Sequence, residues 1–287
     1  MKKKLISLSK IEYTYNPGTP IECPALRGID FDVYSGEIVS LIGHTGSGKS
    51  TLIQLLNGQR KPDSGEIFWH NMDIFDKTGK MNLRKLCACV GMVFQYPEDQ
   101  VFEETVYADI AFGPKQLGFA ADKVEEIVFK VADIMGIGRE LLQMSPFELS
   151  GGTLRKVAIA GVLAMEPKVL VLDEPLAGLD PKSCDSLSEL LRQLRECLDI
   201  AIVMVSHNLE YVADLSDRVY CIENGAIELS GTARDVFSNV MRLAEIRVGS
   251  VPSAVLANML VQEGFIFDEL PVCVDDLTRG LLKNYGK

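Results

Sequence analysis

The sequence predicts an α/β protein whose central parallel sheet binds phosphate groups at one edge. The first observation is a glycine-rich loop at residues 43–51, which follows an apolar segment at 38–42 and precedes a predicted helix. The second is an apolar segment at 169–172, predicted to be a buried parallel strand, that ends in Asp173 and Glu174. Open α/β sheets bind ligands at the carboxyl ends of their strands, so both features are expected to belong to one site.

The composition is that of a globular protein with an excess of acidic residues. The chain has 287 residues, 47% of them hydrophobic, and a formal net charge of −11. It lacks the basic footprint that is typical of nucleic-acid binders, so we expect no nucleic-acid partner. Seven scattered cysteines, an odd number, favour reduced thiols over a disulfide framework. We find no stretch long and apolar enough to span a bilayer and expect a soluble or peripheral protein.

The glycine-rich loop has the spacing of a phosphate-binding loop. Its glycines allow a tight bend in which successive N–H groups point at phosphate oxygens, and the helix N-terminus adds a partial positive charge. Lys49 is expected to reach the β- and γ-phosphates, and the Ser50 hydroxyl to coordinate Mg²⁺. The predicted nucleotide-binding residues of this loop are Gly43, His44, Thr45, Gly46, Ser47, Gly48, Lys49, Ser50 and Thr51.

Polar residues at the ends of three predicted strands complete the candidate catalytic set. Asp173 is expected to hold Mg²⁺ through its water shell, and Glu174 to orient and polarise an attacking water. Gln95 ends a buried strand predicted over 86–94 and could contact Mg²⁺ or that water, although a polar residue at a strand end is usually only solvated. His207 follows a predicted strand at 200–205 and is expected to hydrogen-bond the γ-phosphate.

The first part of the chain is rich in predicted strands, at 5–15, 26–34 and 66–70, joined by turns. Tyr15 ends the first of these strands. An aromatic side chain at this position could stack on a nucleotide base, and Tyr13 is the competing choice. The alternative is that both tyrosines are only half-buried strand residues.

A helical insertion is predicted between the strands of the central sheet, at about 98–155. Apolar residues recur at helical spacing within 103–112, 122–135 and 138–143. At the start of a further helix predicted over 154–165, a polar, glycine-rich sequence forms a second potential anion site. The residues at this second site are Ser150, Gly151 and Gly152.

The remainder of the chain is predicted to finish the sheet and then form a small helical extension. A helix is expected at 183–197 and a hairpin at 218–230, and residues 1–235 are assigned to one nucleotide-binding domain. In the extension at 236–287, we expect helices at 236–248, from a Ser253 cap to 262, and from Asp275 onwards. The extension carries no chemical motif, so it either packs on the core or contributes dimer contacts.

Taken together, these motifs resemble those of the ATP-binding-cassette (ABC) ATPases over residues 11–230. The resemblance implies a P-loop (RecA-like) core with an antiparallel β subdomain, a helical subdomain and an ATP hydrolase that uses ATP and Mg²⁺. Gln95 and Asp173 would then join Ser50 around the metal. The matching positions are Tyr15 in the A-loop, 43–51 in Walker A, Gln95 in the Q-loop, 149–153 in the signature, 169–174 in Walker B, Asp180 in the D-loop and His207 in the switch.

More narrowly, the segments at 43–46, 94–100, 102–106 and 157–167 look like those of the energy-coupling factor importers, most of all the A-prime type of ATPase subunit. This resemblance implies a heterodimer with a paralogous ATPase, a homodimer being possible. It also implies an integral membrane coupling (T) subunit, a substrate-binding (S) subunit, and a peripheral location on the cytoplasmic face of the cell membrane. Gln95 and the segment at 97–105 would contact the membrane subunit.

The family arrangement implies that one chain holds an incomplete site, because Ser150 and Gly152 would contact the nucleotide of the partner. Two residues depart from the family pattern. Thr153 stands where the signature usually has Gln, and Leu176 stands where Thr or Ser usually follows Walker B. Neither change removes a phosphate-contacting group, so we expect an effect on coupling to the partner and on turnover rather than on activity itself.

The expected function is ATP-driven import of a micronutrient, a vitamin, that a separate membrane subunit captures. An importer of cobalt or nickel is the first alternative, since no residue of this chain identifies the cargo. A non-transport cassette that acts in repair or translation is disfavoured, because the chain shows neither a long coiled-coil insertion nor a second cassette. A P-loop kinase or small GTPase is disfavoured by the signature and His207.

Overall fold

The structure is a computed structural model, and it describes residues 2–75, 83–96 and 99–285. This part of the chain forms two β-sheets with helices packed on them. The strands are β1 (Lys4–Tyr15), β2 (Cys23–Tyr34), β3 (Ile38–Ile42), β4 (Ser64–Trp69), β5 (Met72–Asp73), β6 (Val90–Val93), β7 (Val169–Asp173), β8 (Ala201–Val205), β9 (Arg218–Glu223) and β10 (Ala226–Gly231). The helices are α1 (Lys49–Leu56), α2 (Leu83–Cys89), α3 (Val106–Gln116), α4 (Ala121–Met135), α5 (Gly151–Leu163), α6 (Pro181–Leu198), α7 (Leu209–Leu215), α8 (Ala233–Phe237), α9 (Val240–Glu245), α10 (Pro252–Gln262) and α11 (Val274–Tyr285). Within the described ranges, no helix is both long and apolar enough to cross a bilayer.

The larger sheet of the described chain has six strands in the order β10-β9-β3-β8-β7-β6. Neighbouring strands from β9 to β6 run parallel, and β10 pairs with β9 in an antiparallel hairpin. In β3, Ile38 and Ile42 pack into the core on one face, whereas Val39 and Leu41 pack into the core on the other. The sheet is therefore buried on both faces, which explains the nearly continuous apolar runs in its strands.

The carboxyl ends of the parallel strands bring the predicted site residues to one edge. The glycine-rich loop follows β3, Gln95 lies two residues after β6, Asp173 ends β7, and His207 lies two residues after β8. These segments are far apart in the sequence, and only the parallel pairing of their strands places them together.

The smaller sheet is antiparallel, in the order β2-β1-β4-β5, and it packs against the other face of the larger sheet. Three of its strands, β1, β2 and β4, agree with those predicted at 5–15, 26–34 and 66–70 to within three residues at each end, whereas the short strand β5 was not predicted. Leu8, Ile11 and Phe31 from this sheet share a buried cluster with Leu52 and Leu55 of α1. The antiparallel subdomain therefore packs directly against the helix that follows the glycine-rich loop.

The predicted helical insertion is present and consists of α3, α4, α5 and two short 3₁₀ turns. Thr105 caps α3, since its side chain accepts a hydrogen bond from the Ala108 N–H. The apolar stripe predicted in α4 is buried, and the helix ends at Gly136, whose φ of 62° is left-handed. The residues of that stripe are Val124, Ile127, Val128 and Val131.

The buried strand predicted over 86–94 is wrong in its first half. The chain forms helix α2 up to Cys89, and the strand β6 comprises only Val90–Val93. A short apolar run fits a buried strand and a helix equally well, and here its first half is a helix that buries Leu86 and exposes Cys87. The shorter strand nevertheless delivers Gln95 to the predicted edge of the sheet.

Two details of the predicted C-terminal helices are also wrong. The helix expected over 236–248 is two helices, because Thr232 and Asp235 form a capping box that begins α8 early, and α9 begins separately at Val240. Ser253 does not cap α10. The helix begins one residue earlier, at Pro252, whose fixed φ and missing N–H suit the first helical position.

Candidate functional site

The glycine-rich loop takes the backbone shape that its glycines were predicted to allow. Gly43 and Gly48 have φ values of 149° and 111°, which residues with a side chain rarely adopt. A Cβ atom on Gly43 would lie 2.2 Å from the main-chain oxygen of Ile222, and one on Gly48 would lie 2.6 Å from that of Ala25. Both positions therefore require glycine for space as well as for conformation.

Lys49 is the first residue of α1, and its ammonium group lies inside the loop. The Nζ atom donates to the main-chain oxygens of Gly43 at 2.7 Å and His44 at 2.9 Å. Burial lowers the pKa of Lys49 below its ordinary value, whereas the nearby carboxylates of Glu174 and Asp173 act in the opposite direction. The loop thus holds a cation at the place where phosphate groups are expected.

Two other side chains of the loop, those of His44 and Ser47, are directed away from the cleft lining. The His44 Nε2 atom lies 2.9 Å from the Glu223 Oε2 atom at the end of β9, and Nδ1 lies 2.7 Å from the main-chain oxygen of Thr45. The hydroxyl of Ser47 is buried and has no hydrogen-bond partner among the described residues. The predicted contact of Gly43, His44 and Ser47 with nucleotide therefore rests on their backbone groups.

Asp173 and Glu174 lie at the carboxyl end of β7 and face the cleft. Burial raises the pKa of both carboxyl groups; Lys49 opposes the shift of Asp173, and the His207 N–H opposes that of Glu174. Glu174 has a left-handed φ of 49°, a strained conformation for a residue with a side chain. Strain and a buried acid cost stability, and both are typical of functional positions.

His207 and Glu174 contact each other across the ends of β8 and β7. The His207 N–H donates to Glu174 Oε2 at 3.2 Å, and the His207 Nε2 atom lies 3.3 Å from Glu174 Oε1. The second contact lacks hydrogen-bond geometry, so Oε1 is a buried carboxylate oxygen without a hydrogen-bond partner in the described chain. Burial and the Lys49 ammonium lower the pKa of His207, whereas Asp173 opposes that shift.

The predicted side chains share one open cleft of about 540 Å³. Its rim includes Tyr15, whose hydroxyl lies 3.0 Å from Thr51 Oγ1, and Tyr13 is not part of the lining. Oxygen-bearing side chains that suit Mg²⁺ lie in the same cleft, on Ser50, Gln95 and Asp173. The predicted residues that line the cleft are Tyr15, Thr45, Gly46, Gly48, Lys49, Ser50, Thr51, Gln95, Asp173, Glu174 and His207.

The signature and D-loop residues do not line this cleft. Ser150 caps α5, where its hydroxyl accepts from the Thr153 N–H at 3.3 Å and lies 2.9 Å from Thr153 Oγ1. Asp180 caps α6 and accepts a hydrogen bond from the Ser183 N–H at 3.1 Å. The hydrogen bonds from Ser183 lower the pKa of the Asp180 carboxyl group. Ser150, Gly151, Gly152 and Asp180 therefore lie apart from the nucleotide cleft of their own chain.

The sequence did not reveal every residue that shapes the site. Cys23, Pro24 and Ala25 line the cleft beside Tyr15, because β2 pairs with β1 in that register. Arg155 is buried in the signature helix and donates to three main-chain oxygens, two in the loop after β7 and one at Gln95. No local signal marked either residue, since Arg155 is one of two adjacent basic residues in the predicted helix and Cys23 belongs to no motif.

Comparisons with known proteins agree with this geometry. The sequence profile of the ABC transporter family matches residues 26–177, more than half of the chain. The energy-coupling factor transporter ATP-binding protein EcfA2 of Caldanaerobacter subterraneus subsp. tengcongensis is 46% identical over 273 residues, which cover 95% of this chain and 93% of that protein. The chain belongs to the ABC transporter family, among the ATP-binding proteins of energy-coupling factor transporters.

Further relatives support the same placement. The EcfA2 protein of Enterococcus faecalis is 44% identical over 278 residues, 97% of this chain and 96% of that protein. The solved structure of cbiO1 from Clostridium perfringens, described as part of the ABC transporter complex cbiONQ, has a TM-score of 0.75 at 35% identity and covers 86% of this chain and 96% of that one. The predicted family and fold class are therefore confirmed.

The family also fixes the reaction. This energy-coupling factor ATPase binds ATP and hydrolyses it to drive transport, as an ATP-binding subunit associated with a membrane transporter complex. The disfavoured alternatives, a kinase, a GTPase and a non-transport ATPase, are excluded by the nearly full-length match to transporter ATP-binding proteins. The residue roles and the boundaries of the domains at 235 and about 98–155 stay predictions.

Proposed function

We propose that this chain is one of two paired ATPase subunits, on the cytoplasmic face of the cell membrane, that power import of a micronutrient. The observation that carries the proposal is the separation of the signature residues from the chain's own cleft. Ser150, Gly152 and Asp180 do not line the cleft, which stays open at one side. A second cassette would close it by placing its own signature over the nucleotide, and the pairing partner is a paralogous ATPase or a second copy.

Within the cleft, each predicted residue has a role that its position supports. Lys49 and the loop N–H groups hold the β- and γ-phosphates, and Tyr15 stacks on the base. Ser50, Asp173 and Gln95 would hold Mg²⁺, which neutralises charge on the phosphates when bound. Glu174 orients and polarises the attacking water through Oε1, the buried oxygen that has no protein hydrogen-bond partner in the described chain. His207 contacts the γ-phosphate and fixes Glu174 through its N–H.

A groove on the helical subdomain supports contact with an integral membrane coupling (T) subunit. The groove has a volume of about 320 Å³ and is lined mainly by apolar residues of α3 and α5. Phe102 and Phe112 meet there edge to face with ring centroids 4.8 Å apart, and the side chain of Asp109 fixes the segment by accepting from the N–H groups of Phe102 and Glu103. Pro97 and Glu98, also expected at this contact, lie outside the described residues.

The cargo would be captured by a separate substrate-binding (S) subunit, because the predicted binding residues that line the cleft in the described part of the chain serve the nucleotide. A vitamin is the cargo class that we propose. An importer of cobalt or nickel is the alternative, since no predicted site residue of this chain identifies the cargo. The C-terminal extension would add contacts between the paired ATPases, since α10 and α11 expose apolar residues such as Met259 and Leu282.

Co-purification from membranes tests this assignment. The tagged chain is solubilised in mild detergent, and its partners are identified by mass spectrometry. We expect a paralogous ATPase, an integral coupling subunit and a small membrane protein whose identity gives the cargo class. The chain alone, or with ribosomal or repair proteins, would contradict the importer while leaving the ATPase intact. Phe102→Ser should lose the membrane subunit, whereas Ile21→Ser, at an exposed apolar residue outside the groove, should retain it.

A further inference from the structure

The ring of Tyr15 lies against the guanidinium group of Arg60. The Arg60 Cζ atom is 4.8 Å from the centroid of the Tyr15 ring and 5.4 Å from that of the Tyr13 ring. The two tyrosine rings meet edge to face, with centroids 5.0 Å apart and planes at 83°. A guanidinium within about 6 Å of a ring centroid is attracted to the ring face, so these three side chains form one cluster.

Arg60 is also tied to two different parts of the fold. Its Nη1 atom donates to the hydroxyl of Tyr13 in β1 at 2.6 Å, and its Nε atom donates to the side-chain oxygen of Gln54 in α1. Helix α1 begins at the glycine-rich loop, whereas β1 belongs to the antiparallel sheet. The guanidinium therefore connects the phosphate end of the cleft with the strand that carries Tyr15.

Tyr15 lines the cleft, whereas Arg60, which contacts the Tyr15 ring, does not. Tyr15 lines the cleft together with Cys23 and Pro24, whereas neither Arg60 nor Tyr13 belongs to the lining. An aromatic ring that is supported on one side and open on the other presents a flat surface at low entropic cost. Tyr15 shares this cleft with residues of the glycine-rich loop, so a base attached to phosphates bound at the loop would lie within its reach.

We propose that Arg60 is a positioning residue that holds the Tyr15 ring ready to stack on the nucleotide base. The inference rests on the proposed role of Tyr15. Arg60 acts through the ring and does not contact the phosphates, so it contributes to binding only when the ligand has a base. A planar guanidinium can stack on the rings and form both hydrogen bonds at once, which the point charge of lysine cannot do.

Equilibrium binding to the full-length chain, measured by calorimetry, tests the proposal with two probes. MgADP carries a base, and magnesium pyrophosphate does not. Arg60→Met should raise the Kd for MgADP about three- to tenfold, the range expected for loss of a cation–aromatic contact, and leave the Kd for pyrophosphate within about twofold. Lys61→Met is the matched control. It removes the neighbouring cation, whose ammonium lies over Phe75, and should change neither Kd.

The outcomes separate this inference from the proposed base site. Tyr15→Ala should weaken MgADP binding and spare pyrophosphate; if it has no effect, the base site itself is wrong. If Tyr15→Ala weakens MgADP binding and Arg60→Met does not, only the role of Arg60 is wrong. An equal loss for both ligands would show that Arg60 shapes the loop instead. If Arg60→Met fails to fold, Tyr13→Phe and Gln54→Ala replace it, since each removes one anchor of the guanidinium and should act in the same direction.

Discussion

The guanidinium of Arg155 donates a hydrogen bond to the main-chain oxygen of Ala177 at 2.8 Å, and so joins the signature helix to the D-loop. The same group donates to the oxygens of Pro175 at 2.6 Å and Gln95 at 3.3 Å. Arg155 is only 8% exposed. One buried cation therefore contacts both the segment after Walker B and the Q-loop residue Gln95.

Replacement of Arg155 by methionine should reduce turnover more than nucleotide affinity. Buried carbonyl groups that lose their donor cost about 1–3 kcal/mol each, so the D-loop and Q-loop should lose their fixed geometry. We expect ATP hydrolysis by the assembled transporter to fall at least about tenfold, since every 1.4 kcal/mol is a factor of ten, with the Kd for MgADP within about threefold. Steady-state hydrolysis and calorimetry measure the two quantities.

Lys156→Met is the control for Arg155, because Lys156 is the next residue of the same helix and lies only half-buried. It should hydrolyse ATP at nearly the rate of the unmodified chain, and Arg155→Lys should recover part of the lost rate. An Arg155→Met variant that matches Lys156→Met, or one that loses nucleotide affinity and turnover in parallel, would show that Arg155 has no special role in linking these segments.

Gly152→Ala should leave this chain stable and impair the nucleotide site of its partner. A Cβ atom at Gly152 would meet only Ser183 Oγ, at an ordinary 3.7 Å, and alanine is favoured over glycine in a helix by about 1 kcal/mol. Nothing in the described part of the chain therefore requires glycine there. We expect an unchanged or slightly higher Tm, unchanged MgADP binding to this chain, and a loss of hydrolysis at the partner's site of at least about tenfold, or 1.4 kcal/mol.

The site affected by Gly152→Ala can be identified with ATP that carries a photoreactive base and a labelled γ-phosphate. After hydrolysis is allowed to proceed and the sample is irradiated, the label should remain on the partner subunit in the variant and be lost from both subunits in the unmodified assembly. A fall in Tm of several degrees would mean that Gly152 serves internal packing. Label retained on this chain would show that Gly152 acts at this chain's own nucleotide and not at the partner's.

The cysteines should report occupancy of the cleft. Cys23 is exposed and lines the cleft, whereas Cys197 is exposed on α6 away from it. MgADP should therefore slow maleimide modification of Cys23 at least severalfold and leave Cys197 unchanged. Burial raises the pKa of Cys221 to about 12, so at neutral pH this thiol stays protonated and should not react in the folded chain. Peptide mapping by mass spectrometry follows all three.

Equal modification of Cys23 with and without MgADP would place the nucleotide away from the Tyr15 end of the cleft. The variant Cys23→Ser provides the control, since maleimide modification at position 23 should then be absent while modification of Cys197 continues. Rapid modification of Cys221 at neutral pH would contradict its burial in the larger sheet.

The sequence was sufficient where a short segment carries both the chemistry and its structural context. The loop at 43–51 and the acids at 173–174 sit between a strand and a helix whose apolar patterns are local, so their placement could be predicted. The run at 86–94 failed because a short apolar segment has no period that separates a strand from a helix. Leu86 and Val90 pack in one buried cluster with residues of the smaller sheet and α1, a contact that the local pattern does not show.

Contacts between distant segments were beyond sequence reasoning. Arg60 meets Tyr13 across 47 positions, and Arg155 meets the Gln95 oxygen across 60. Neither residue belongs to a motif, and their partners are side chains or main-chain oxygens that many residue types could supply. Such positions become visible only when the strands and helices are assembled, which is why both arginines were missed while Glu174 and His207 were not.

The most direct test of the account concerns Glu174. Assemblies that contain Glu174→Gln are loaded with ATP that carries a photoreactive base and a labelled γ-phosphate, freed of excess nucleotide, incubated with Mg²⁺ and irradiated. Glu189→Gln, at an exposed residue of α6, is the matched control. We predict that Glu174→Gln retains at least about tenfold more label on this chain than the control, because general-base catalysis contributes roughly 100-fold or more. Equal loss of label from both variants would contradict Glu174 as the group that activates water.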